Sequence, residues 1–132
     1  MLALVAACVL VGEGAYAARL YELLSPWQGW HLHNIAVYLG SADHHLGMLA
    51  ATAGNWRAAE RHLRTAMAAH HALGTRPWAA LTQQAYAGML RGRGGPGDLA
   101  RADQLDASAH AGAAALGMEL PGWGRPILGP RS

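Results

Sequence analysis

The chain has 132 residues, 52% of them hydrophobic, a mean hydropathy of +0.08 and a formal charge of +2. That size and composition suit one globular domain and exclude a disordered chain. The charge is too small, and the arginines too dispersed, for a nucleic-acid or anionic-membrane surface.

Leu2 to Val11 is a ten-residue apolar run, and Ala15-Tyr16-Ala17 has the small-x-small form of a signal cleavage site. No Arg or Lys precedes the run, and it is too short to span a bilayer. A buried helix is the better reading. Cys8, the only cysteine, allows no internal disulfide and no thiolate metal site within the chain. That fits a reducing, cytoplasmic setting. All ten basic residues are Arg, and Lys and Phe are absent, the mark of a GC-rich bacterial gene.

The pattern predicts an all-α chain of about six helices, near 2–11, 14–25, 41–53, 56–73, 77–91 and 98–117. Gly54-Asn55-Trp56 supplies a left-handed C-cap and then an N-cap. Trp56, Ala59, Leu63, Ala66 and Met67 form one stripe at helical spacing, with Glu60 and Arg64 paired on the polar side. Trp78, Leu81, Ala85 and Met89 form a similar stripe after Pro77. Pro26 to Asn34, with two Trp and two His, reads as a long irregular connection. Gly92 to Gly97 is a second loop, and 119–132 an irregular tail. No stretch alternates as a strand does, so no β-sheet is expected.

Glycine and alanine markers repeat along the chain. Gly12, Gly54 and Gly97 are 42 and 43 positions apart, as are Ala17, Ala59 and Ala102. Leu73-Gly74 recurs as Leu116-Gly117, and Ala66 as Ala109, each 43 positions on. A shared offset among independent markers signals a helical repeat. The units would be about 1–34, 41–74 and 77–117, in one repeat domain over 1–118.

These residues resemble the tetratricopeptide repeat. Leu46-Gly47 opens the motif, Ala50 takes a usually aromatic place, and Ala59, Leu63 and Ala66 follow the turn at matching spacing. Asp106 replaces Leu63 in the next unit. The wording of 42–118, including His45-Leu46-Gly47-Met48-Leu49-Ala50 and Arg76-Pro77-Trp78, is similar to the C-terminal helical region of large bacterial regulators. Those proteins link an ATPase to a LuxR-type DNA-binding domain or a nucleotide cyclase. The resemblance implies a stacked solenoid of antiparallel helix pairs and a non-enzymatic interaction or sensing module. By the motif, Ser41, His44, Met48, Gln84 and Arg91 would face the partner groove. No cofactor is implied. A phosphate-binding Gly-Lys-Ser/Thr loop is impossible without Lys.

His31, His33, His44, His45, His70 and His71 invite a metal, or a small helical enzyme, as the alternative function. Adjacent helical histidines diverge by roughly 100°, so solvated or partly packed rings are expected instead. Cys8 lacks a charge that would stabilise a thiolate and reads as structural. Trp27 and Trp30 are expected to pack over helix ends, and Trp123 falls in the tail. The partner is expected to be a protein or peptide, with no direct nucleic-acid or membrane contact. The apolar Leu2–Val11 helix further predicts a homodimer through the N-terminal helix pair, sensitive to Leu4→Glu and Val9→Glu.

Overall fold

The computed structural model describes residues 2–33 and 38–120. Six α-helices account for most of them: α1 (Leu2–Val11), α2 (Gly14–Leu24), α3 (Ala42–Thr52), α4 (Trp56–Ala72), α5 (Arg76–Arg93) and α6 (Asp98–Ala115). Their ends fall within two residues of the expected ones. The chain is all-α apart from two short strands, β1 (His31–His33) and β2 (Tyr38–Ser41). Of the expected tail over 119–132, residues 121–132, with Trp123, lie outside the described residues.

The strands correct the sequence reading. β1 and β2 pair antiparallel with an irregular register, His31 opposite Ser41 and His33 opposite Tyr38. Three or four residues are too few to display an alternating pattern. The Ala42 N–H donates to Trp30 O at 2.8 Å, which ties the hairpin to the start of α3. Trp27 and Trp30, expected as packed covers, are 46% and 65% exposed.

The repeat markers occupy matching places. Gly12, Gly54 and Gly97 each lie in the turn before α2, α4 or α6, with φ of 76°, 81° and 77°. Only glycine adopts that conformation without strain. Ala17, Ala59 and Ala102 follow on those helices, all fully buried, as are Ala66 and Ala109. Asn55 caps α4 through its side chain, accepting the Ala58 N–H at 3.2 Å.

Two apolar clusters form the core. One gathers Val5, Cys8, Ala17, Leu24, Leu46 and Leu49. The other is built on Ala59, Leu63, Tyr86, Met89, Leu90 and Ala102. Tyr21 packs against both. On α5 the deepest residues are Thr82, Tyr86, Ala87, Met89 and Leu90, while Trp78, Leu81 and Ala85 are half-buried. The expected α5 stripe is therefore rotated, because both α4 and α6 pack on this helix.

Charged side chains close the α5–α6 turn. Arg93 donates to both Asp98 oxygens at 2.8 and 2.9 Å and to Glu60 at 2.9 Å. Glu60 also accepts from Tyr86 at 2.7 Å and from Arg64 at 3.0 Å. Hydrogen bonds from the Tyr86 hydroxyl and Arg93 hold its carboxyl down near a pKa of about 2. The Gly92–Gly97 loop is thus clamped to α4.

Gly47 makes the α3–α4 contact possible. A Cβ there would lie 2.5 Å from Leu63 Cγ and 3.3 Å from the Leu63 backbone nitrogen. Alanine ordinarily stabilises a mid-helix site by about 0.5–1 kcal/mol over glycine. Here Gly47→Ala is expected to destabilise instead, by about 1–3 kcal/mol of overpacking. Ala59→Leu should cost a similar amount at the same interface. Urea unfolding checks both, and an unchanged midpoint in either variant would contradict the packing described.

Candidate functional site

A cleft of about 250 Å³ opens where α1, α3 and α5 meet. Val9 enters from α1, and Met48, Ala51 and Thr52 from α3. Leu81, Gln84, Ala85, Gly88, Met89 and Gly92 line the α5 side. The α3 and α5 sets recur every three or four residues, so each helix turns one stripe to the cleft. Trp56 closes the end. A Cβ at Gly92 would stand 2.9 Å from Trp56 Cη2, so the missing side chain lets the indole lie across α5. Met48 and Met89 add unbranched, polarisable surface that adapts to different side chains.

Behind this cleft, α3 is buried from Ala42 to Ala50 with three polar side chains in that stretch. Asp43, His44 and His45 must find partners inside the protein. The Asp43 carboxylate accepts the Gly29 N–H at 2.7 Å and the His62 Nδ1–H at 2.7 Å. On the other side of the ring, His62 Nε2 and the Tyr21 hydroxyl are hydrogen-bonded at 2.7 Å. Burial opposes ionisation of Asp43, but His62 and the Gly29 amide outweigh it and hold the carboxyl below its usual range.

A second chain joins α3, α4 and α5. The Ser41 N–H donates to His70 Nε2 at 2.9 Å. His70 Nδ1–H then donates to Thr82 Oγ1 at 3.0 Å, and the Thr82 hydroxyl donates to His44 Nδ1 at 2.8 Å. Among the described residues, His44 Nε2 is buried without a hydrogen-bond partner. Its ring stands nearly perpendicular to those of His45 and Trp78, at centroid distances of 5.1 and 5.3 Å. His45 Nε2–H donates to Leu39 O of β2 at 2.8 Å. Trp78 fits beside the hairpin because Gly40 has no Cβ, which would otherwise approach the indole to 2.7 Å.

The expected groove residues divide. Met48 and Gln84 line the cleft. Ser41 and His44 are buried in the polar chain, with Ser41 Oγ capping α3 by accepting the Asp43 N–H at 3.1 Å. Arg91 points to α6, pairing with Asp103 at 2.9 Å and with Asp106. The expectation of solvated or partly packed histidines holds for the exposed His71 and the half-buried His31 and is corrected at the others. His44, His45, His62 and His70 are all buried. Both members of the His44–His45 pair are covered because α4 and α5 shield one and the hairpin the other. Among the described residues, no three His, Cys, Asp or Glu side chains come together to hold a metal ion. Cys8 donates to Glu13 O at 3.3 Å, and burial followed by the Glu13 charge pushes its thiol up.

No protein-family model, curated protein or solved structure matches this chain. No helix among the described residues is long and apolar enough to cross a membrane.

Burial lowers the affinity of the inner histidines for protons. His44 is held well below the ordinary 6.5, by burial and then by His45 and His70. His45 is lowered by burial despite its bond to Leu39. Burial, then the charges of His31 and His45, bring His70 to about 4. The unfolded chain therefore takes up more protons as pH falls below 6.5, so stability falls with it, for His70 as far as about pH 4. Each excess proton adds a slope of about 1.4 kcal/mol per pH unit. Urea midpoints should drop from neutral pH toward pH 5, and a flat profile would contradict the neutral cluster. Thr82→Val, which strands His44 and His70, should cost about 1–3 kcal/mol at neutral pH.

Proposed function

We propose that this chain is a non-enzymatic protein-interaction module whose α1–α3–α5 cleft seats an apolar segment of a partner. The cleft is the observation that carries the reading. It is concave, walled mainly by apolar side chains and close to the core, the form in which small hot spots of binding energy arise. Its volume of about 250 Å³ suits a few large side chains.

The matched positions of Gly12, Gly54 and Gly97, and of the buried Ala17, Ala59 and Ala102, favour three related helix pairs. The first helices of those pairs, α1, α3 and α5, supply the cleft. That is where stacked helix pairs present a binding face. The tetratricopeptide resemblance points the same way, and with it a role inside a cytoplasmic bacterial regulator.

The alternative, chemistry carried by histidines, draws on the Asp43–His62–Tyr21 chain. None of those three residues lines the cleft. They join α2, α3 and α4, and packing explains them without a substrate.

Short random peptides selected against the purified chain should converge on sequences with neighbouring large aliphatic or aromatic residues. Met48→Glu and Ala85→Arg should each weaken the selected peptide about tenfold or more, about 1.4 kcal/mol. Arg91→Ala, on the α6 side, should leave it unchanged. Selected peptides indifferent to both cleft substitutions would overturn the assignment.

A further inference from the structure

A second apolar surface lies on the N-terminal helix pair. Leu4, Val11 and Tyr16 project from it, 61%, 59% and 70% exposed. Between them is a depression of about 340 Å³, floored by Ala7, Cys8 and Leu20. Scattered exposed apolar residues are ordinary, but knobs grouped around a hollow mark an interaction surface. None of these residues lines the α1–α3–α5 cleft.

Two opposite charges complete the rim, Glu13 and Arg19. Glu13 sits in the turn between α1 and α2, at one end of the hollow. Arg19 lies six residues further along α2, roughly 9 Å up the helix axis. Among the described residues the Glu13 carboxylate has no cationic partner, and it stands close enough to Cys8 to act on the thiol. Arg19 pairs only with Glu22, at 3.1 Å, with both side chains about two-thirds exposed. An exposed pair of that kind holds its arginine loosely.

We infer that this face binds a second copy of the same chain, as a twofold dimer in which Glu13 of each copy meets Arg19 of the other. The reason is self-complementarity. A twofold axis crossing the line from Glu13 to Arg19 at right angles brings Glu13 of one copy onto Arg19 of its mate, and does so twice. The same operation lays the apolar rim and hollow of one copy against those of the other, so that Leu4, Val11 and Tyr16 of both copies are covered together. Isologous contacts require one patch to carry both halves of every interaction, and this patch does. An unrelated apolar partner would give no reason for one acid and one base at opposite ends.

Sedimentation of the purified full chain over a range of concentrations reads the association directly. The wild-type chain should sediment as a dimer. Glu13→Arg and Arg19→Glu, both at exposed positions, should each weaken association about tenfold or more, since each places like charges together twice. The combined Glu13→Arg/Arg19→Glu variant should restore the dimer, which no partner other than a second copy explains. Leu4→Glu should abolish it, while Val9→Glu, on the cleft side of α1, should unsettle peptide binding instead. Helical circular dichroism identifies any variant that fails to fold. A monomeric wild type, single reversals without effect, or a combined variant that stays monomeric would each overturn the proposal. Loss of peptide binding with the dimer intact would count against the cleft alone.

Discussion

The structure turns on the burial of α3. Every residue from Ser41 to Ala50 is hidden from solvent, and the helix begins with a serine, an aspartate and two histidines. A helix covered on all sides cannot send polar groups to water. Its neighbours must therefore meet them at fixed positions. Gly29 comes from the segment before it, His62 and His70 from α4, Thr82 from α5 and the Leu39 carbonyl from the hairpin. Each bond fixes one element against α3, so the polar chain specifies the arrangement as well as satisfying itself.

Small residues set how closely the elements approach. Gly47 admits Leu63, and Ala59 and Ala66 let α4 lie close to its neighbours. The matching positions on α5 and α6 carry different side chains. Leu90 stands where Gly47 would be and Asp106 where Leu63 would be, with Leu90 fully buried and Asp106 turned to Arg91. The apolar cleft follows from the same economy of side chains. Alanine and glycine on α3 and α5 leave room that neither helix fills, and Trp56 closes one end.

The N-terminal helix has two apolar surfaces, one toward Val5 and Cys8 in the core and one toward the outside. Val9 serves a third role at the cleft. A helix without a polar side chain gives no indication of which residues turn inward, and the two proposed interaction surfaces share its length for that reason.

The sequence by itself determined the helices and their ends. Glycine at positive φ, asparagine at an N-cap and proline in a first turn act within a few residues, so local chemistry decides them. The buried Ala59 and Ala66 of α4 were legible too, because they share a stripe with Leu63 at helical spacing. The motif resemblance put Ser41, His44, Met48, Gln84 and Arg91 on one groove. Met48 and Gln84 line the cleft, while Ser41 and His44 are buried and Arg91 turns to α6, because a motif gives a face and not what packs on it. The fate of the histidines belonged to the tertiary structure. His44 and His70 meet through Thr82, and His62 meets Asp43 and Tyr21, across separations that no local pattern records. The hairpin was equally hidden, since strands of three and four residues are held by pairing and by the groups they cover on α3. Only the assembled fold brings those partners within hydrogen-bond distance, and burial then makes each bond obligatory.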